Sequence, residues 1–243
     1  MEGKLTPLPF DCPWVKLVEG VMKHSVFVGE PRQKPRRRHV QAYRDGVKRW
    51  LDVGLVLAAA PFWIPLVGAL WILVRRSGAP GFFGHQRVGA DGQSFKCWKL
   101  RTMIPNAEVA LLAYLAENPD AAEEWSQKHK LRDDPRVTGL GRFLRTTSLD
   151  ELPQLWNVLR GEMSLVGPRP VTRAEIAAYR GFEWAYFTLR PGITGLWQIS
   201  ARNETTYAER VRSDTQYLLG ACLRLDLAIL LRTFGVVWRK TGW

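Results

Sequence analysis

Two adjacent carboxylates, Asp150 and Glu151, have the residue types and surroundings best suited to chemistry. The preceding segment is rich in arginine, including Arg136 and Arg145, and a Gly-Pro-Arg-Pro loop follows at residues 167–170. Carboxylate oxygens are ligands for Mg²⁺, and arginine side chains bind phosphate oxygens through two parallel hydrogen bonds. We therefore predict a site that handles a phosphate group together with a Mg²⁺ ion held by Asp150 and Glu151.

The same pair also fits a structural role at the start of a helix. Pro153 is tolerated only in the first turn of a helix, so it predicts a helix start near Asp150. Ser148 and Glu151 have the spacing of a capping box, which is the commoner role of such residues taken alone. The neighbouring arginines favour phosphate instead, because cations and a metal ion remove the repulsion that keeps a carboxylate from attacking phosphorus.

The composition predicts an anionic partner and a reducing compartment. The 243 residues include 35 Lys and Arg against 23 Asp and Glu, a net charge of +12, and 11 Trp. Tryptophan favours membrane interfaces, so lipid and phosphorylated substrates are preferred over nucleic acid, which the acidic pair would repel. Three widely spaced cysteines, Cys12, Cys97 and Cys222, form no CxxC motif. We expect neither a disulfide framework nor a zinc site.

One apolar segment has the length of a bilayer core. Val53 to Val74 contains no charged residue, and as a straight helix it spans ~33 Å. Pro61 and Pro65 lie at its middle, where proline bends a helix, and basic residues flank both ends. Asp52 at its start favours an interfacial position. We predict a re-entrant helix with its membrane break at Pro61 and Pro65; a plain transmembrane anchor is the alternative.

Three regions follow from these patterns, and the predicted fold class is α+β, mostly α. Residues 1–45 are Pro-rich and basic and are expected to form a flexible extension, either a solvated tail or a tether to anionic lipid headgroups. Residues 46–76 form the re-entrant membrane helix. Residues 77–243 form a cytosolic catalytic domain that ends in an amphipathic helix, placed either in the membrane interface or on the core.

The cytosolic region is predicted to contain one β-hairpin and several helices. Residues 82–103 surround Asp91-Gly92, a dipeptide typical of two-residue hairpin turns. Gly161 is expected to end the helix that follows the acidic pair. Helical patterns occupy residues of about 106–130 with an interruption at Asn118-Pro119, 138–145, 151–160, 172–180, 205–218 and 223–238.

The run from Arg145 to Pro170 closely resembles the bacterial sugar transferases, which are monotopic phosphoglycosyl transferases. One departure from the family lies in the membrane segment, where Ala60-Pro61 stands in place of the usual Ser-Pro. The lost hydroxyl leaves the bend to depend on the prolines alone. The resemblance covers residues 44 to 240. Further matches to family motifs lie at residues 83–103, 134–138, 190–198, 202–203 and at Asp226.

The resemblance implies a reaction at a membrane surface. Members of this family transfer a sugar 1-phosphate from a UDP-sugar to a polyprenyl phosphate, such as undecaprenyl phosphate, and release UMP. By position, Asp150 resembles the nucleophile that forms a covalent phosphosugar intermediate, and Glu151 resembles its partner at Mg²⁺. The residues implied in substrate binding are Lys99, Arg101, Arg136, Arg145, Pro168, Arg169, Pro170, Gln198 and Arg202.

The resemblance also implies a location and a pathway. The expected location is the cytoplasmic face of the bacterial inner membrane, at the first membrane step of exopolysaccharide or O-antigen synthesis. Galactose or glucose phosphate is the expected cargo, and a homodimer is left open. The alternative function is a basic, membrane-anchored scaffold for polysaccharide assembly without catalysis, which would not need the adjacent acids.

Overall fold

The described part of the chain is mostly helical, with two small sheets. The computed structural model describes residues 41–76, 78–128, 131, 133–200 and 206–238, so nearly all of the predicted N-terminal extension lies outside it. Packing divides these residues into two compact units. The first unit contains the described residues up to Ala60, His85–Cys97 and Gln154–Val236, and the second contains Pro61–Gly84, Trp98–Pro153 and the described residues after Val236.

Two helices separated by a sharp bend form the apolar segment. A π-helical turn, α1 and α2 span Tyr43–Val47, Lys48–Ala58 and Ala60–Arg75. The helices bend by 63° at Ala59, two residues before Pro61, which has no N–H to donate to the carbonyl of Leu57. Pro65 lies inside α2. Among the described residues no single helix is long and apolar enough to cross a membrane, whereas this bent pair passes that test of length and composition together.

The predicted hairpin is confirmed. It consists of β1 (Phe82–Val88) and β2 (Ser94–Leu100). Asp91 and Gly92 at its turn have φ angles of 53° and 75°. Two-residue hairpin turns require this left-handed backbone, which aspartate and glycine adopt more readily than most residues.

Most of the predicted helices are present. The remaining elements are α3 (Ala107–Glu117), α4 (Pro119–Lys128), α5 (Gly139–Thr146), α6 (Gln154–Arg160), β3 (Ser164–Val166), α7 (Arg173–Ile176), α8 (Glu183–Phe187), β4 (Gly192–Thr194), α9 (Leu196–Ser200), α10 (Tyr207–Gly220) and α11 (Leu223–Trp238). The interruption at Asn118-Pro119 is confirmed. The helix predicted at 172–180 is reduced to α7 and one 3₁₀ turn, since Arg180 and Gly181 adopt left-handed φ angles that end it.

A parallel pair of short strands lies in the core of the first unit. β3 pairs with β4 so that Ser164 is opposite Gly192 and Val166 is opposite Thr194. Beside this pair, a Cβ added to Gly192 would lie 2.1 Å from the backbone nitrogen of Gly167, so the close approach requires glycine. The buried residues around the strands include Ala185, Leu189, Tyr217, Leu218 and Ile229.

Aliphatic side chains form the core of the second unit. Its buried cluster contains Leu70 and Val74 of α2, Leu100 of β2 and Leu144 of α5. Thr138 caps α5 by accepting a hydrogen bond from the N–H of Gly141 at 2.9 Å. A Cβ at Gly141 would lie 2.0 Å from the carbonyl oxygen of Thr102. Glycine at this position therefore lets α5 pack against the residues that follow β2.

The C-terminal helix α11 has two apolar faces with different surroundings. Ile229 is fully buried and Asp226 is nearly so, which confirms packing on the core. Leu231 and Phe234 are 75% and 70% exposed. One face of α11 thus belongs to the core of the first unit, and the other faces outward.

Candidate active site

The two carboxylates lie in a 3₁₀ turn, Leu149–Glu151, and not at a helix N-cap. Ser148 before the turn has a left-handed backbone, with φ of 57°, and forms no side-chain cap. The capping box predicted between Ser148 and Glu151 is therefore wrong, and α6 begins only at Gln154. The physical cause is Leu149, which packs against the apolar cluster of the second unit and turns the chain before the helix starts.

Both carboxylates approach one ammonium group, that of Lys99. This residue lies near the end of β2, and its Nζ is 2.5 Å from Oε1 of Glu151 and 3.8 Å from Oδ2 of Asp150. The side chain of Asp150 is 10% exposed and that of Glu151 is 31% exposed. Adjacent residues on a regular helix point about 100° apart. Adjacent residues of a 3₁₀ turn point about 120° apart, so it is the Lys99 ammonium placed between them that brings the two carboxylates to a single cation.

Asp150 holds its proton more tightly than an ordinary aspartate. Burial raises the pKa of Asp150 to about 6; Lys99 and Arg145 oppose the rise, and Glu151 adds to it. The group is therefore ionised at neutral pH but protonates within reach of physiological conditions. A buried acid among cations is a candidate for chemistry, although structural ion pairs share this property.

Arg136 is buried and Arg145 is half-buried, and these two arginines of the predicted site have different partners. Arg145 donates its Nε–H to the hydroxyl of Thr102 at 2.9 Å, and burial lowers the pKa of its guanidinium. Arg136 donates from Nε and Nη2 to the two carboxylate oxygens of Asp134, at 2.8 and 2.6 Å. The two-point contact of Arg136 is thus made within the protein, whereas Arg145 is one of the cations whose charge acts on the acidic pair.

Arg101, two residues after Lys99, contacts the chain that leaves α2. Its Nε–H donates to the carbonyl of Pro80 at 3.0 Å. Its guanidinium carbon lies 5.5 Å from the centre of the Phe83 ring, a distance typical of a cation–π contact. These contacts give Arg101 a structural role in the second unit.

The other residues predicted to bind substrate belong to the first unit. Arg169 is exposed, between the buried residues Pro168 and Pro170. Gln198 donates to a backbone carbonyl of β4 at 3.1 Å. Arg202 lies outside the described residues. Burial of the two prolines holds the Arg169 backbone while leaving its side chain accessible.

The oxygen donors of the acidic pair fit a Mg²⁺ ion. Mg²⁺ is commonly held by one or two carboxylates, with waters and phosphate oxygens as its other ligands. The described residues contain no group of three or more His, Cys, Asp or Glu side chains suited to a metal. Asp150 and Glu151, whose carboxylates lie in one turn, are the residues that would hold the ion. The approach of Lys99 to both carboxylates shows that a cation is favoured there.

Two carboxylates of the first unit are buried against other elements, and this burial was not predicted from the sequence. Asp226 of α11 is 1% exposed and accepts hydrogen bonds from Lys48 at 2.5 Å and from the hydroxyls of Tyr43 and Tyr217 at 2.7 Å each. Asp52 of α1 is 3% exposed, because protein encloses its side chain, while its predicted interfacial position stays a prediction. A single acid within an otherwise apolar stretch is the sequence signal that marks both residues.

Comparison with known proteins links this sequence to one family. The family model described as "Bacterial sugar transferase" matches residues 43–240. Over 196 aligned residues, the chain is 48% identical to the exopolysaccharide production protein ExoY of Rhizobium meliloti. It is 47% identical to the UDP-galactose-lipid carrier transferase of Erwinia amylovora and 46% identical to the undecaprenyl-phosphate galactose phosphotransferase of Salmonella typhimurium.

The alignments include most of this chain but different shares of the relatives. They cover 80% of the chain with ExoY and 81% with each of the other two proteins. They cover 87% of ExoY but 41% of the other two, so the chain spans less than half the length of those relatives. Because the family model matches far more than half of the sequence, the chain belongs to the bacterial sugar transferase family.

Proposed function

We propose that this protein transfers a sugar 1-phosphate from a UDP-sugar to a polyprenyl phosphate and releases UMP. The observation that carries the proposal is the convergence of Asp150 and Glu151 on one cation, with the charge of the half-buried Arg145 also acting on Asp150. The names of two relatives support galactose 1-phosphate as the cargo, and one of them supports undecaprenyl phosphate as the acceptor. Glucose 1-phosphate is the alternative cargo.

In the first half-reaction Asp150 acts as the nucleophile. One of its carboxylate oxygens attacks the phosphorus that bears the sugar, and a bond forms between this oxygen and phosphorus. The bond from that phosphorus to UMP breaks, and UMP leaves with the electron pair. Only the ionised carboxylate can attack, and a pKa of about 6 for Asp150 leaves it ionised at neutral pH.

In the second half-reaction the acceptor regenerates the enzyme. An oxygen of the polyprenyl phosphate attacks the same phosphorus, the bond to Asp150 breaks, and the carboxylate is restored. The product is a polyprenyl diphosphate sugar. Both attacking oxygens are already ionised, so neither step requires a general base, and charge neutralisation and positioning carry the catalysis.

The cations of the second unit supply part of this neutralisation. The positive charges of Lys99 and Arg145 oppose the rise in the pKa of Asp150 and would attract the diphosphate of the substrate. Glu151 and Asp150 would hold Mg²⁺, which when bound neutralises phosphate charge. Arg169 and its flanking prolines are proposed to contact the nucleotide, as the family resemblance implies.

We propose that the bent pair of helices enters one leaflet and returns to the cytoplasmic face of the bacterial inner membrane. Phe62, Ile64 and Ile72 of α2 are 80%, 54% and 51% exposed, and an apolar surface of this extent favours contact with lipid. The 63° bend supports return to the same side. The reaction would then be the first membrane step of exopolysaccharide or O-antigen synthesis.

The covalent intermediate provides the main test. The purified protein is incubated with UDP-galactose and Mg²⁺ in the absence of acceptor, and its intact mass is measured. We expect a mass increase of one phosphosugar, which is absent in Asp150→Asn and is lost when undecaprenyl phosphate is added. UDP-glucose in a parallel reaction identifies the cargo.

Two results would contradict the proposal. Turnover without an adduct and without ping-pong kinetics would exclude the covalent mechanism. The absence of both turnover and adduct with a panel of UDP-sugars would favour the non-catalytic scaffold.

The membrane topology is tested by labelling single cysteines at Asp45 and Arg76, after the native cysteines are replaced by serine. A re-entrant segment predicts that a membrane-impermeant reagent reaches both positions from the cytoplasmic side. Labelling from opposite sides would show that the segment crosses the bilayer.

A further inference from the structure

A buried carboxylate of the apolar segment contacts the strand that leads to the Arg169 loop. Oδ2 of Asp52 accepts a hydrogen bond from the hydroxyl of Ser164 at 2.7 Å, and Oδ1 accepts one from the N–H of Leu165 at 3.2 Å. A carboxylate is costly to bury in apolar surroundings unless its oxygens are paired. Both oxygens are paired with β3, so these contacts fix the position of α1 along that strand.

The segment between this contact and Arg169 is short. Leu165 and Arg169 are four residues apart, which limits their separation to about 14 Å. Within this interval the N–H of Gly167 donates to β4 at 2.9 Å, and the carbonyl of Pro168 accepts from β4 at 2.8 Å. A displacement of β3 would therefore be transmitted to the backbone of Arg169.

The same face of α1 makes a second connection to β3. Lys48 is one helical turn before Asp52 and pairs with Asp226 at 2.5 Å. The hydroxyl of Tyr217 lies 2.7 Å from Asp226 and 3.2 Å from the carbonyl oxygen of Val166. The first half of the bent helix thus contacts the beginning of β3 directly and its end through two buried side chains.

We infer that Asp52 is a positioning residue, which through Ser164 and Leu165 couples the placement of the membrane-embedded helix to the placement of the Arg169 loop. The inference rests on the proposed function, in which this loop contacts the nucleotide. A misplaced loop would weaken ground-state and transition-state binding alike, and such a loss raises KM without lowering kcat. Asp52 therefore acts on the affinity for the UDP-sugar although it lies in the membrane segment.

The test compares kinetics and hydrogen exchange in the full-length protein. Asp52→Leu and Ser164→Ala should each raise KM for UDP-galactose by about tenfold, with kcat within about twofold. The double variant should resemble Asp52→Leu, because that substitution already removes the contact that Ser164→Ala breaks. Asp52→Asn retains an amide oxygen for the Leu165 N–H and should restore much of the affinity. Trp50→Leu is the matched control, since Trp50 is on the same helix and 78% exposed.

Hydrogen exchange distinguishes failure of this inference from failure of the proposed function. Asp52→Leu should accelerate exchange at the backbone amides of Leu165 and Gly167, whatever reaction the protein catalyses. If the wild type turns over, an unchanged KM in Ser164→Ala and Asp52→Leu overturns the inference, as do strictly additive effects in the double variant. If the wild type has no turnover, the proposed function fails, and unchanged exchange at Leu165 and Gly167 then overturns the coupling itself.

Discussion

The buried carboxylates of the two units differ in how completely their oxygens are paired. In the first unit, Asp226 accepts hydrogen bonds from one ammonium and two phenol groups. In the second unit, the ammonium of Lys99 approaches Asp150 only to 3.8 Å, and burial raises the pKa of Asp150 to about 6. A fully paired carboxylate holds elements together, whereas an incompletely paired one keeps lone pairs available for a metal ion or for attack.

A third carboxylate shows that a raised pKa alone does not identify a reactive group. Burial raises the pKa of Asp214 to about 7, and its hydrogen-bond donor is the hydroxyl of Tyr179 at 2.8 Å. Asp214 lies beside an aromatic and aliphatic cluster of the first unit that contains Tyr179 and Tyr186. What distinguishes Asp150 is its neighbours: a second carboxylate and two cations in one small region.

Replacement of Asp150 should have the largest effect. Asp150→Asn removes the proposed nucleophile and should lower turnover by about a thousandfold or more, without loss of thermal stability. Asp214→Asn is the matched control, because it also replaces a buried aspartate with a raised pKa. Turnover and thermal unfolding are measured for both proteins. Equal losses of turnover would contradict the distinction between the two acids.

Disruption of the Asp226 network should have the largest effect on stability. Lys48→Met leaves a buried carboxylate without its cation, and breaking such a pair costs about 3–5 kcal/mol of unfolding free energy. Denaturant unfolding in detergent measures the loss. The exposed pair of Arg44 and Asp45 is the control, since Asp45 is 61% exposed and Asp45→Asn should cost less than about 1 kcal/mol. Similar costs at both sites would show that burial does not matter here.

Asp214→Asn should stabilise the protein in a pH-dependent way. The pKa of Asp214 is raised to about 7 from an unfolded value of about 3.9. The contribution of this group to the free energy of unfolding is therefore fully present below about pH 4 and is lost as pH rises to about 7. The difference between the folded and unfolded pKa values corresponds to about 4 kcal/mol of unfolding free energy. We expect Asp214→Asn to restore about 2 kcal/mol of this loss at pH 8. Thermal unfolding at pH 4.5 and pH 8 measures the gain. A gain of equal size at both values would exclude this linkage.

The two partners of Asp150 should affect the metal requirement in opposite directions. Glu151→Gln removes a proposed ligand and should raise the Mg²⁺ concentration for half-maximal rate by about tenfold. Lys99→Met removes a competing cation and should lower that concentration by a few fold, although kcat also falls. Mg²⁺ titrations of the initial rate measure both effects. An unchanged titration for Glu151→Gln would leave Glu151 only as the partner of Lys99.

The smallest effect is expected at Arg101. Arg101→Lys keeps the charge but loses the hydrogen bond to Pro80, so it should cost about 1 kcal/mol of unfolding free energy. KM for the UDP-sugar should stay within about twofold of the wild-type value. A tenfold higher KM with unchanged stability would instead support the substrate contact implied by the family resemblance.

Local sequence signals predicted the elements but not the surroundings of the acidic pair. The Asp91-Gly92 turn, the break at Asn118-Pro119 and the final helix were predicted because each depends on neighbours along the chain. The helix start near Asp150 was misplaced, since Leu149 packs into a cluster built from α2, β2 and α5. No pattern within residues 148–153 contains that information.

The sequence by itself determined the family, the helical character, the apolar segment and the identity of the acidic pair, because these depend on residue type and spacing. Only the tertiary structure decided that Lys99 lies against both carboxylates and that Asp52 and Asp226 are enclosed by protein. Lys99 and Glu151 are 52 positions apart, and Lys48 and Asp226 are 178 apart. Burial and pairing over such separations arise only when distant elements pack, and they decide which carboxylate is structural and which is available for chemistry.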